Sequence, residues 1–494
     1  MLILKREPVL AARHEAFLYQ VQAVEAVRAL EFAALFHEQG LGKTKIGIDL
    51  ALTWLKEGVC DSVLVVTKRS LVKNWTDEIK AHTFFEPRIL GQDRNANFFA
   101  FNSPARLYLA HYEVLKSEAR RFALFLKTRR VAVILDEAHK IKNPEAEITK
   151  AFHELGPGFV RRVIMTGTPV ANRPYDLWAQ IKFLDGGKSL GNTFDEFREA
   201  LDLGNELAHD ATARERFESE LAGVFEKIRP FTVRETKSSA SIELPEKTIS
   251  NVPVDLEPRQ KALYEKFRTE LRAEVMRGGR FVEDDTEDIL KRLLRLVQIA
   301  SNPALVDESY QGVPAKLLAA RDIIQAAIAD SSKIIVWTGF IANADWLGRQ
   351  FAGFGSAVVH GKKAIADRNA AIDRFKQDPE CRVLVATPPS AKEGLPLTVA
   401  NHAVFYDRSF SLDDYLQAQD RIHRISQSRN CRIWNLIATG TIDEWVDMLL
   451  AAKHLAAQLA QGDIEASEYT QRASYDFGLV IQKILGHGDD SSSD

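Results

Sequence analysis

The sequence predicts an α/β protein with two parallel-sheet domains in tandem and helical insertions between them. Three observations carry this. From residue 32 to 165, short apolar runs alternate with amphipathic stretches, as expected for strands covered on both faces by intervening helices. Over 171–330 the text turns helical and charged, and at Lys333 the alternation restarts and continues to Ile437. A chain of 494 residues exceeds one ordinary domain. The expected division is 1–170 and 331–460 for the two lobes, 171–330 for insertions and connection, and 461–494 for a last helix and tail.

In chain order, Phe17, Leu18, Val21, Val24, Val27 and Leu30 recur at helical spacing. Phe32–Phe36 is an apolar strand that runs into a glycine loop and then a run of helix formers. Ser62–Val66, Leu107–Ala110, Val131–Leu135 and Val163–Met165 are further strands. Between them, Ser70–Ala81 is a helix with Leu71, Trp75 and Ile79 four apart, and another helix reaches Leu126. Helices are expected at Phe194–Leu203, Arg214–Ile228, Pro258–Met276 and Ile289–Ile299, with the hydroxyl- and charge-rich Arg234–Thr248 as a linker. The second set of strands is Lys333–Trp337, Ala357–His360, Arg382–Ala386, Ala403–Tyr406 and Arg432–Ile437, with helices at Asn343–Phe351, Ile365–Lys376 and Leu412–Ile425. A helix follows from Ile442, and Gly486–Asp494 (GHGDDSSSD) is polar enough to be disordered.

Composition narrows the function classes. Hydrophobic residues make up 46% and charged residues 27%, ordinary for a globular chain with sizeable cores. The formal net charge of −3 advertises no nucleic-acid partner globally, so any such binding needs a local basic groove. Cys60, Cys381 and Cys431 stand far apart with no zinc spacing, which argues against a disulfide or metal framework. No apolar run suits a leader or a membrane span. The expected setting is the cytoplasm, with no membrane partner.

The chemistry gathers at three places. Gly40, Leu41, Gly42, Lys43 and Thr44 open a helix after a strand. Glycines let backbone N–H groups approach phosphate oxygens, Lys43 offers a point charge, and the Thr44 hydroxyl can ligate Mg²⁺. A strict phosphate-loop pattern needs glycine where His37 stands, so the segment alone also fits a plain glycine-rich turn. Asp136-Glu137 at the end of the strand Val131–Leu135 weighs against that plain turn, because ligands of open α/β sheets sit at the carboxyl ends of strands. Asp136 would hold Mg²⁺, and Glu137 would orient and deprotonate water. Thr166-Gly167-Thr168 ends the next strand and could sense a phosphate, although alone it reads only as a turn. Far downstream, Gln417, Arg421 and Arg424 share one face if helical. Two arginines there could neutralise charge developing on a phosphoryl group, or simply form a solvated basic face.

Taken together, Gly40–Thr44, Asp136–His139, Thr166–Pro169 and Gln417–Gln427 stand in the order of superfamily-two helicase-like ATPases. More narrowly, EQGLGKT (38–44), DEAHKIKN (136–143), MTGTPVANRPYDLW (165–178), IRPFTVRETK (228–237), IASNPALV (299–306), QAQDRIHRISQ (417–427) and GTIDEW (440–445) resemble the Swi/Snf family of double-stranded DNA translocases, in a minimal bacterial or viral form. The resemblance covers roughly residues 15–450. It implies two RecA-like lobes, ATP and Mg²⁺ as cofactors, and duplex DNA as partner, with targeting proteins to choose the substrate. It implies Gln20 as the adenine-reading glutamine and Arg421 with Arg424 as a finger pair. It implies DNA-tracking segments at Thr67–Trp75, His111–Leu115, His360–Lys363 and Thr387–Leu397, with Lys68, Lys73, Tyr112, Lys362, Lys363, Thr387 and Lys392 as contacts. The chain departs from the family at His37, where an acidic residue is usual, and at Thr387–Leu397 (TPPSAKEGLPL), where the usual glycine-rich text gives way to two prolines. The function implied is an ATP-driven motor on duplex DNA that leaves the strands paired. A strand-separating helicase and a non-motor ATP-gated subunit are the rivals.

Overall fold

Every residue of β5 (Val131–Asp136) is buried, as is every residue of β2 (Ser62–Thr67) and β4 (Leu107–His111). Strands apolar on both faces cannot lie at a solvated surface, and they sit at the centre of a parallel sheet covered by helices. The computed structural model describes residues 4, 7–170, 172–240, 244–277, 286–391, 397–424 and 426–485. Lys392 and the tail Gly486–Asp494 lie outside the described residues.

The chain divides into two units, each holding one of the two sheets. Unit 1 is 1–202, 215–242 and 456–471; unit 2 is 203–214, 243–455 and 472–494. The segment 171–330 is therefore shared between the units. Its helices Leu177–Asp185 and Phe194–Ala200 go to unit 1, and Pro258–Arg277, Thr286–Ser301 and Ala315–Ala329 to unit 2.

Unit 1 has a seven-stranded sheet, ordered β3 (Arg88–Leu90), β4, β2, β5, β6 (Arg161–Met165), β1 (Phe32–Leu35), β7 (Thr232–Val233). All its pairings are parallel. The carboxyl ends of β1, β2, β5 and β6 thus share one edge, which carries the loop 36–42, Thr67, Asp136 and Thr166. The helix Lys43–Lys56 packs closely there because it carries Gly47. A methyl at that position would stand 3.1 Å from the Trp75 ring and 3.2 Å from the Met165 methyl.

Unit 1 is closed by a piece from far down the chain. The helix Ile442–Ala460 gives its last turn, 456–460, to this unit. Beyond it, Asp463 takes the Arg234 guanidinium through both oxygens, at 2.8 and 2.6 Å. Bidentate geometry of this kind is strong and directional. Gly462 (φ +76) lies flat on the ring of Phe225, where any side chain would collide with it.

Unit 2 has a six-stranded parallel sheet, ordered β10 (Ser356–Val359), β11 (Val383–Ala386), β9 (Ile334–Trp337), β12 (His402–Phe405), β13 (Cys431–Ala438), β8 (Lys247–Val254). β8 corrects the linker reading of 234–248, which overlaps its start. It pairs residue for residue with β13 from Lys247↔Cys431 to Val254↔Ala438. As an edge strand it is mostly exposed and tolerates Pro253.

The helix expected over 412–425 ends at Gln419. Its start is capped by Ser411, whose hydroxyl accepts from the Asp414 N–H at 3.2 Å. Beyond Gln419 the carbonyls are claimed by other groups. Leu397 N–H donates to the Arg421 carbonyl at 2.9 Å, and the Gln427 amide donates to the carbonyls of Ile422 and Ala400, each at 2.9 Å. A helix cannot continue through captured acceptors.

Candidate nucleotide site

The turn before the helix Lys43–Lys56 requires its glycines. Gly40 (φ +89) and Gly42 (φ +69) occupy the left-handed region, and a Cβ on Gly42 would lie 2.5 Å from the Gln20 amide nitrogen. That amide anchors the loop. Gln20 Nε2 donates to the Leu41 carbonyl at 3.3 Å, Tyr19 Oη donates to the same carbonyl at 3.1 Å, and Gln20 Oε1 accepts from Phe17 N–H at 3.0 Å. Both ends of the Gln20 amide are thus held by the protein. Lys43 is buried with its ammonium on the carbonyls of His37 and Glu38, at 2.8 and 3.1 Å. Thr44 follows it, half-buried, in the first turn of the helix.

His37 is fully buried, and neither ring nitrogen has a hydrogen-bond partner among the described residues. Burial, with the charges of Lys43 and Arg234 adding to it, lowers its pKa to about 4, so it is neutral at pH 7. The unfolded chain, with an ordinary histidine, binds more protons between these values, and stability is lost as pH falls through that window. From about pH 7 to about pH 4.5 the loss from this residue is expected to be about 2.5 kcal/mol. Urea unfolding of the native chain and His37→Phe at both pH values checks this, since the variant should lose less by that amount.

At the end of β5 the two carboxylates differ sharply. Burial raises the pKa of Asp136, and the neighbouring charge of Glu137 adds to the rise. Its Oδ2 accepts from the Trp75 indole N–H at 2.7 Å and from the Thr67 hydroxyl at 2.9 Å, and its carbonyl accepts from the Tyr112 hydroxyl at 2.9 Å. Oδ1 makes no hydrogen bond among the described residues. An oxygen left over in this way, near a threonine hydroxyl and a phosphate loop, suits Mg²⁺, which takes one or two protein oxygens and keeps water and phosphate for the rest. Asp136 and Thr44 are the residues that would hold it.

Burial would raise the pKa of Glu137 too, but it is outweighed by the adjacent His139 ring and the charges of Lys68 and Lys43. Its carboxyl is held well below the usual range. Its backbone is left-handed (φ +55), which non-glycine residues rarely adopt. That turn aims the side chain at His139, whose Nδ1 lies 3.2 Å from the Glu137 carboxylate and 3.4 Å from Thr166 Oγ1. Gly167 in turn lets Gln39 of the phosphate loop come close, since a Cβ there would stand 2.8 Å from Gln39 Cγ. The structure therefore brings together Gln20, Gly40–Thr44, Asp136, Glu137 and Thr166 in unit 1.

In unit 2, Gln417 is buried and its amide donates to Asp413 at 2.7 Å. Arg421 is buried, and Arg424 is half-buried with Nε on the Asp420 carbonyl at 2.7 Å. Because the helix stops at Gln419, these three do not form the continuous helical face expected.

The expected DNA contacts separate into two groups. Lys68 and Lys363 are half-buried; Lys73, paired with Asp77, and Lys362 are exposed. Tyr112 is fully buried, with its hydroxyl on the Asp136 backbone, so it is corrected from a DNA contact to an interior support. Thr387 is corrected likewise: it is buried, with its hydroxyl on Ser390 at 3.0 Å. The sequence reading missed Trp75, Thr67 and His139 as supports of the acid pair. Trp75 carried a usable signal, since a buried indole N–H on an apolar stripe needs an acceptor.

The model described as the SNF2-related domain matches residues 19–305. The chain belongs to the SNF2-related family. The helicase conserved C-terminal domain matches 315–426. An uncharacterized ATP-dependent helicase of Mycoplasma pneumoniae is 30% identical over 88% of this chain and 41% of its own length. The putative ATP-dependent helicase/translocase YwqA of Bacillus subtilis is 26% identical, over 87% of this chain and 47% of its own. A solved SWI2/SNF2 ATPase core of Sulfolobus solfataricus in complex with double-stranded DNA is 26% identical, covering 98% of this chain and 99% of that one, with a TM-score of 0.42. The SNF2-related chain described here thus spans less than half the length of these two curated relatives. No helix among its described residues is long and apolar enough to cross a membrane.

Proposed function

We propose that this SNF2-related chain hydrolyses ATP in unit 1 and uses the energy to move along duplex DNA without separating the strands. The observation that carries the reading is the pairing of Lys43 with the Asp136–Glu137 acids on one sheet edge. Lys43 would exchange backbone carbonyls for phosphate oxygens, and the glycine turn would offer its N–H groups alongside. Thr44 and Asp136 would hold Mg²⁺, which would neutralise charge at the phosphates. Glu137, ionised and aimed by His139, accepts the proton of the attacking water. Arg421 and Arg424 would add to the charge neutralisation of the phosphoryl group. Lys68, Lys73, Lys362, Lys363 and Lys392 would meet the phosphate backbone, which sets affinity without reading sequence.

The test is the ATPase rate with no nucleic acid and with duplex DNA, single-stranded DNA and RNA, at one stated salt concentration, beside triplex displacement and forked-duplex unwinding. Duplex DNA is expected to stimulate turnover about 10-fold or more, with triplex displacement and no unwinding. A rate indifferent to DNA overturns the motor in favour of an ATP-gated subunit. Unwinding of the fork overturns translocation without separation.

A further inference from the structure

We propose that Asp136 is the junction through which DNA contact alters the metal-holding acid, with Trp75 and Thr67 as the positioning residues that transmit it. This inference rests on the reading of the chain as a DNA-stimulated ATPase. β2 and β4 are adjacent parallel strands, with Thr67 opposite His111 at their carboxyl ends. From these two ends leave the two segments expected to follow DNA in unit 1, and both are tied to the same residue. Thr67 and Trp75, the first and last residues of one segment, donate to a single atom, Asp136 Oδ2. Tyr112, in the other, donates to the Asp136 carbonyl.

Residues 68–74 therefore form a bow with both ends fastened to one carboxylate oxygen. Its middle faces outward: Arg69, Ser70, Lys73 and Asn74 are exposed and Lys68 half-exposed. Trp75 also touches the phosphate-loop helix at Gly47. Ile48, Leu52, Ile79 and Phe85 line the apolar surroundings of the same ring. A phosphate gripped by the bow pulls on Thr67 and Trp75, and through them turns the Asp136 carboxylate. DNA contact and acid geometry then become one equilibrium, and each biases the other by the same factor.

The experiment uses the full chain and three deletions of single donors: Trp75→Phe, Thr67→Val and Tyr112→Phe. ATPase rates are measured without DNA and with saturating duplex, beside duplex affinity. In Trp75→Phe and Thr67→Val the ratio of stimulated to unstimulated rate is expected to fall about 10-fold, with duplex affinity weakened by no more than the same factor. The double variant should be no worse than the poorer single, because both donors serve one oxygen. If both rates fall together and the ratio holds, the bonds merely orient Asp136 and the proposal is overturned. Thr67→Val keeps the test decisive should Trp75→Phe fail to fold. A native chain that DNA does not stimulate would instead overturn the underlying reading, visibly and before any variant is made.

Discussion

Replacing Glu137 with Gln is expected to lower ATP turnover about 10³-fold while nucleotide binding persists. The amide has nearly the same shape, so the left-handed turn and the contact with His139 can be retained, but it cannot accept a proton from water. The depressed pKa of Glu137 matters here. Lys68, Lys43 and His139 keep the native carboxylate ionised, so essentially every molecule at pH 7 holds the base form that the variant lacks. Single-turnover hydrolysis beside equilibrium binding of ATP separates the two effects. Native turnover in Glu137→Gln removes this residue from the chemistry, and loss of binding would assign it to the phosphate cradle instead.

Arg424→Ala is expected to lower kcat by about 10³-fold or more, the range found for arginines that neutralise a phosphoryl transition state. Arg424 gives a cleaner measurement than Arg421. Arg421 is buried, so its truncation also leaves a hole in the interior of unit 2. Arg424 is half-buried, and its Nε–H on the Asp420 carbonyl fixes where the guanidinium points. Arg424→Lys should recover only a small part of the loss, because an ammonium lacks the planar fork. The measurement is kcat with ATP affinity: a fall in affinity with kcat unchanged would make Arg424 a binding residue only.

The interior strands were legible because a strand buried on both faces is apolar along its middle, as 63–66 of β2, 131–135 of β5 and all of β9 are. The strands that escaped reading are edges. β3 has three residues and β7 two, and β8 exposes most of its side chains, so none has an apolar run to betray it. The acid pair was legible from Asp136-Glu137 at a strand end. Its support was not, because Trp75 and Asp136 are 61 positions apart and only the sheet order brings them together. The end of the helix at Gln419 was hidden in part for the same reason: Leu397 N–H, from a distant stretch of chain, takes the Arg421 carbonyl just beyond it.

The Arg234–Asp463 clasp has a consequence for how such a protein can be recombined. Residues 456–471 follow the second sheet in sequence yet belong with the first in space. The two sheets are separate cores, but the gene cannot be cut into two contiguous halves that each keep their own parts. A chimera that takes its first half from one relative and its second from another would join Arg234 of one parent to the clasp residue of the other. Exchange that respects the architecture must carry 456–471 together with 215–242, so these stretches should be inherited as a pair.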